Sequence, residues 1–169
     1  MKLLDISTRK YPNTFTMVDD SDFEFLSQWK WFAQYPIGRK TMYAVRNTSG
    51  KGGKARKILR MHRAIMNPKD TDIIDHADRN GLNNTRGNLR VCTPNESARN
   101  RTRPQSAKGS PYRGVFLRKR WGTFQAHIGL NGWKIHLGFF KTAEAAALAY
   151  NEAAIKYHGE FASINEVTL

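Results

Sequence analysis

With one cysteine, Cys92, in 169 residues, the chain has no means of building an internal disulfide framework or a zinc site made of several thiolates. A reducing compartment suits that composition. Long apolar runs are missing as well, so no segment reads as membrane-spanning, and the opening "MKLLDISTRKY" has too short an apolar stretch for a secretory signal. An intracellular, cytoplasmic setting is expected. Acidic residues are the third scarcity: Asp plus Glu number 14 against 28 Lys plus Arg, a formal net charge of +14. This balance attracts a polyanion, and nucleic acid is the first expectation. An anionic membrane surface would attract the same charge, but no basic amphipathic helix of obvious length is present to lie on it. Neither a membrane partner nor a small-molecule cofactor is expected. The length suits one modest domain or two small ones.

Up to about Met66 the pattern is one of short strands and a brief helix. Ser21 and Glu24 have capping-box spacing, which places the start of that helix at Ser21 with Phe25 and Leu26 as its anchors. "TMYAVRN" and "RKILRMH" flank the Gly-rich, basic "TSGKGGKA" and suggest a hairpin. Its tip reads equally as a phosphate-touching loop or a solvated turn.

From Ile73 an apolar pair leads into Asp75 and His76, "ADRNGLNNTRG" is turn-rich, and "NLRVC" is a second short strand. The asparagines of residues 80–84 read as turn residues. A helix follows. Thr93 suits the N-cap, Pro94 the first helical position, Glu96 completes the box, and Pro104 bounds the far end. Residues 98–110, "ARNRTRPQSAKGS", carry four basic and no acidic side chains, the composition of a charged linker that either lies along a nucleic-acid backbone or is a solvated tether.

Beyond Ser110 the texture changes to alternating strands. Val115, Leu117, Phe124, Ala126, Ile128, Ile135 and Leu137 share one side of a period-2 pattern, and Phe116, Arg118, Gln125, His127, Lys134 and His136 share the other. Asn131-Gly132 is a hairpin turn signal. Thr142 caps "AEAAALAYNEAAIKYH" and Gly159 ends it, predicting a sixteen-residue helix whose alanines allow close packing on a three-stranded sheet. Phe139 and Phe140 read as packing residues near that helix.

A carboxylate is a good ligand for a hard divalent cation, and a histidine takes a proton from water near neutral pH. Asp75 and His76 together therefore suit phosphodiester hydrolysis, although an Asp-His dipeptide alone is more often a surface pair with no catalytic role. The longer stretch "DHADRNGLNNTRGNLRVCT", followed by the Thr-Pro helix start, closely resembles the HNH or ββα-metal nucleases, particularly the homing endonucleases of phages and introns. The shared signature is Asp-His, eleven intervening residues, Asn-Leu-Arg, then a capped helix. The resemblance implies that Asp75 is a metal ligand, His76 the general base, and Asn88 the middle amide that holds the loop and orients the histidine. It further implies Mg²⁺, or another divalent ion such as Mn²⁺, and a phage-infected bacterial host. "MHRAIM" resembles the segment that precedes this motif, with His62 structural or DNA-facing and second to His76 as a base. One position departs: the family's last ligand, Asn or His, falls at Ser97. Ser97 binds metal through water, Asn100 on the same helix face substitutes, or catalysis is impaired.

"SPYRGVFLRKRWGTFQAHIGLNGWKIHLGFFKTAEAAALAYNEAAIKYHGEFASIN" resembles the plant Apetala/ethylene-response-factor DNA-binding domain, which lays its sheet in the major groove of double-stranded DNA. That resemblance implies a contact face of Arg113, Gly114, Phe116, Arg118, Trp121, Thr123, His127, Lys134 and His136. The basic residues Arg99, Arg101 and Arg103 are expected to add phosphate contacts. The expected fold is α+β: a small ββα-metal nuclease domain with N-terminal strands over 1–104 (core about 72–103), a basic linker at 105–110, and a three-stranded antiparallel sheet packed on one α-helix over 111–165. The expected function is a site-specific DNA endonuclease acting as a monomer and nicking one strand. The competing readings are a DNA-binding regulatory protein with a degenerate nuclease site and, on charge alone, a ribonucleoprotein component.

Overall fold

The computed structural model describes residues 1–38, 41–48, 57–100 and 109–167. The fold is α+β, with antiparallel sheets and short helices, and it divides into two compact units, Met1–Pro94 and Asn95–Leu169. No described helix is long and apolar enough to cross a membrane.

In the first unit, β1 (Lys2–Asp5) pairs with β2 (Phe15–Val18), and α1 (Asp20–Ser27) follows. The strands β3 (Phe32–Gln34), β4 (Tyr43–Thr48) and β5 (Lys57–Arg60) form an antiparallel sheet in that order. The expected pairing of β4 with β5 is present; residues 49–56 of the Gly-rich loop lie outside the described residues. The segment "MHRAIM" is a helix, α2 (Met61–Met66), and β6 (Ile73–His76) then pairs with β7 (Leu89–Cys92). Ile6, Val18, Leu26, Trp31, Met61, Ile65 and Leu89 form the core that these short elements share.

Two expectations about α1 are corrected. The helix starts at Asp20 rather than at Ser21, and its N-cap, Asp19, makes no side-chain capping bond. The Asp19 carboxylate instead accepts the Arg86 N–H at 2.7 Å, so the would-be cap ties the helix to the loop before β7. Nearby, Arg86 donates from Nε and Nη2 to the two oxygens of buried Asp22, both at 2.8 Å, a bidentate pair in which Arg86 neutralises the buried carboxylate. Phe25 is no anchor: it is exposed and meets Trp29 edge-on, while Leu26 is fully buried.

In the second unit, α3 (Pro94–Arg99) begins where its Pro94 was expected, at the last residue of the first unit. The strands β8 (Val115–Arg118), β9 (Thr123–Leu130) and β10 (Trp133–Phe140) form an antiparallel sheet with β9 central. Asn131 and Gly132 turn β9 into β10 with φ of 51° and 84°, the left-handed pair that a tight hairpin demands. The helix α4 (Ala143–His158) covers one face, capped by Thr142, whose hydroxyl accepts the Ala145 N–H at 3.1 Å. Ala146, Ala147 and Ala154 are fully buried, so the helix lies close against Val115, Ala126 and Ile128.

Candidate functional site

At the end of β6, successive side chains point to opposite sides. Asp75 faces its cross-strand partner Arg90, whose Nη2 lies 3.0 Å from Oδ2. His76 turns inward and is only 5% exposed. Its ring lies edge-on to His62, with centroids 5.0 Å apart, and both rings pack on Tyr43.

The loop after His76 is built from its own amides. Asn88 accepts the Asp78 N–H at 3.0 Å and donates to Asp78 Oδ1 at 2.9 Å and to the Asn83 carbonyl at 2.8 Å. Asn88 therefore holds the loop. It does not hold the histidine: His76 Nε2 lies 3.3 Å from Oδ1 of buried Asn84, which in turn donates from Nδ2 to Thr16 Oγ1 at 2.8 Å. Asn84 and Thr16 were missed as site residues. The first reads locally as one more turn asparagine, and the second lies far upstream on β2. The same strand is zipped to the loop by Met17 N–H to the Leu82 carbonyl and Asn84 N–H to the Met17 carbonyl, each 2.8 Å.

Burial pushes the His76 imidazole below its ordinary value, against the Asn84 hydrogen bond and the nearby Asp78 and Asp75 carboxylates. Burial also lowers His62, helped by the charges of His76, Arg60 and Arg63, to about 3. For Asp78, burial opposes ionisation, but hydrogen bonds from Asn83, the Asn80 N–H and Asn88 together with the His76 charge hold the carboxyl below its usual range. The cluster thus presents two neutral imidazoles near the ionised Asp78 carboxylate at neutral pH.

His62 has a stability consequence. Its folded value lies below its unfolded one near 6.5, so below about pH 6.5 the unfolded chain binds the extra proton. Stability is full above that pH and falls toward the folded value, by about 1.4 kcal/mol per pH unit from this group. Urea midpoints at pH 7, 5.5 and 4.5 are expected to drop accordingly, and His62→Gln is expected to flatten the slope.

Ser97 and Asn100 belong to the second unit, the first half-buried on α3 and the second buried just beyond it. Among the described residues no group of three or more His, Cys, Asp or Glu is placed to hold a metal ion. Within the first unit Asp75 offers a single carboxylate, which suits a hard cation that keeps water and takes phosphate oxygens, not a fully protein-ligated ion.

The outer face of the C-terminal sheet gathers Phe116, Arg118, Gln125, His127, Lys134 and His136 as the alternation implied. Rings run across it in a row: Phe116 to His127 at 5.9 Å, His127 to His136 at 4.9 Å, and His136 to Phe139 at 4.5 Å. The Phe139 expectation is corrected. A register shift between His136 and Gly138 reverses the parity of β10, pairs Phe139 with Gln125 and leaves it 57% exposed, while Phe140 packs inward as expected. Arg118 lies 3.9 Å over the exposed Trp121 ring and 4.1 Å over Phe139, and Lys134 4.9 Å over Phe116. Stacking engages the flat face of a guanidinium and leaves its in-plane N–H donors for phosphate or a base edge. Burial and the charges of Lys134 and His136 lower His127. Its Nδ1 and the Thr123 hydroxyl have no hydrogen-bond partner among the described residues.

Other expected contact residues sit elsewhere. Gly114 lies under the Tyr150 ring, where its carbonyl accepts the His127 N–H at 2.8 Å. Arg113 donates from Nη1 to the Arg99 carbonyl at 2.7 Å, and its own N–H goes to Asn165 Oδ1 at 2.6 Å. Arg99 is half-buried in the last turn of α3; Arg101 and Arg103 lie outside the described residues.

No protein-family model matches the chain. Among individual proteins, an uncharacterized HNH endonuclease of Acanthamoeba polyphaga mimivirus is 31% identical over 162 residues, covering 91% of this chain and 76% of that protein. An AP2-like ethylene-responsive transcription factor of Arabidopsis thaliana is 42% identical over 74 residues, 44% of this chain but 15% of its own length. An APETALA2-like protein of Oryza sativa subsp. indica is 44% identical over 68 residues, 40% of this chain and 16% of its own. The plant proteins thus share one module with this chain, whereas the viral alignment runs through nearly all of it. At that identity and coverage the chain belongs to the HNH endonuclease family.

Proposed function

We propose that this protein is a site-specific, homing-type DNA endonuclease that hydrolyses one strand of a duplex with a divalent metal, acting as a monomer with a nuclease part over 1–104, a linker at 105–110 and a DNA-reading module over 111–165. The observation that carries the reading is His76, neutral, locked in the core and next in sequence to the Asp75 carboxylate. Asp75, with Ser97 and Asn100, would hold Mg²⁺ or Mn²⁺. When bound, that ion supplies positive charge to the scissile phosphate and the leaving oxygen. Arg90 fixes the orientation of the Asp75 carboxylate, and Asn88 keeps the loop closed behind the site. His76 accepts the proton of the attacking water. Phe116, Arg118, Trp121, Thr123, His127, Lys134 and His136 engage the duplex, with Arg99, Arg101, Arg103 and Arg113 adding charge toward its backbone and Gly114 shaping the base of the sheet.

Supercoiled plasmids carrying a randomised insert test the reading. Nicked circles are expected with Mg²⁺ or Mn²⁺ and not with chelator, and sequencing the nicked pool is expected to return a preferred site. An inert wild type with either ion would overturn it. Ser97, where the resembled pattern has Asn or His, favours a second reading of DNA binding without cleavage, and that reading gains if Ser97→Asn nicks while the wild type does not.

A further inference from the structure

We infer that Asn84 and Thr16 are positioning residues that choose the tautomer of His76, placing the proton on Nε2 and the lone pair on Nδ1. The inference rests on the reading of His76 as the general base, but the hydrogen bonds that lead to it are independent of that reading. The Thr16 hydroxyl lies 2.7 Å from the Leu82 carbonyl, which only accepts, so the hydroxyl proton is committed there. Thr16 Oγ1 then has only lone pairs for Asn84, 2.8 Å away, and the Gly81 carbonyl, 3.4 Å away, likewise only accepts. Both neighbours therefore require the NH₂ end of Asn84 on that side. Its carbonyl is left facing His76 Nε2 at 3.3 Å, and a carbonyl accepts from an N–H and never donates to a lone pair. A neutral imidazole carries one N–H, so Nδ1 is the basic nitrogen.

The orientation of this one amide sets what faces Nε2. With its ends exchanged, the NH₂ would face Nε2 and force the proton onto Nδ1, removing the base from the side that Asn84 does not occupy. Buried Thr16 thus acts on the chemistry through two hydrogen bonds, from a strand 68 residues away from Asn84 in sequence. A side chain that fixes an imidazole's tautomer governs rate rather than affinity.

The first test needs no variant. In full-length protein with ¹⁵N-labelled histidine, a two-bond ¹⁵N–¹H spectrum, with His76 assigned by its loss in His76→Gln, is expected to show Nε2 protonated; an Nδ1-protonated ring would overturn the inference. The second test is nicking of the selected plasmid. Thr16→Val and Asn84→Leu are each expected to lower kcat by at least about 10-fold with KM unchanged, and Thr16→Ser to restore it. If His76→Ala abolishes nicking while Thr16→Val and Asn84→Leu keep wild-type kcat, the positioning role falls and the base assignment stands. If His76→Ala nicks like the wild type, the base assignment falls, and the spectrum alone decides the tautomer. A Thr16→Val protein that does not fold leaves the decision to the wild-type spectrum.

Discussion

Replacing His76 with alanine is expected to slow single-turnover nicking by a factor of about 10² to 10⁴ while leaving duplex binding in chelator intact. The size follows from what the side chain does: without a base beside it, the attacking water must lose its proton to solvent. Affinity is expected to survive because the ring row and stacked cations of the sheet belong to the other unit. The substitution also orphans the Asn84 carbonyl in the core and empties the space between His62 and Tyr43, so a stability loss of about 1–3 kcal/mol accompanies it. Rates are therefore compared well below the variant's unfolding temperature. A rate within threefold of the wild type, on protein shown to be folded, would remove His76 from the chemistry.

What was legible in the sequence was what local chemistry dictates. The Asn131-Gly132 turn, the Thr142 cap and the strand alternation of β8 and β9 depend on neighbours within a few residues, and all three stand in the structure. The strand, loop and strand around Asp75 and His76 were legible for the same reason. The failures share a different cause. The capping box read at Ser21 gave way to a helix start one residue earlier, and the observed N-cap, Asp19, gives its carboxylate to Arg86, distant in sequence. Phe139 changed faces because one irregular residue pair reversed the parity of the whole strand end, which no period-2 count anticipates. Asn84 was hidden among asparagines of equal turn propensity, and only the fold reveals which of them meets Thr16 and the histidine. Motif spacing located the chemistry; long-range hydrogen bonds decide how it is held.

Gly114→Ala is expected to unfold the C-terminal unit or destabilise it by about 2–5 kcal/mol, summing the left-handed backbone cost and the overpacking cost. Gly114 has φ of 75°, a region that L side chains resist. A Cβ there would lie 2.2 Å from the Tyr150 ring and 2.6 Å from the His127 carbonyl oxygen. Neither neighbour gives way cheaply. Tyr150, on α4, is buried beside Ile128 of β9, and the His127 carbonyl belongs to the central strand, where the His127 N–H is bonded to the Gly114 carbonyl. Relief requires the segment before β8 to lift off the sheet, taking with it Arg113, whose backbone is held from both sides by Asn165. A unit of this size has only roughly 0.05–0.15 kcal/mol per residue in hand, so the loss is comparable with its whole stability. Gly132→Asn is the control: φ is 84° but nothing lies within 4 Å, and asparagine tolerates this region, so a cost of about 1 kcal/mol or less is expected. Thermal unfolding followed by α4 helicity separates the two, and DNA binding is expected to vanish with Gly114→Ala and persist with Gly132→Asn. Equal melting temperatures for the two variants would mean that the strand start yields more easily than its contacts imply.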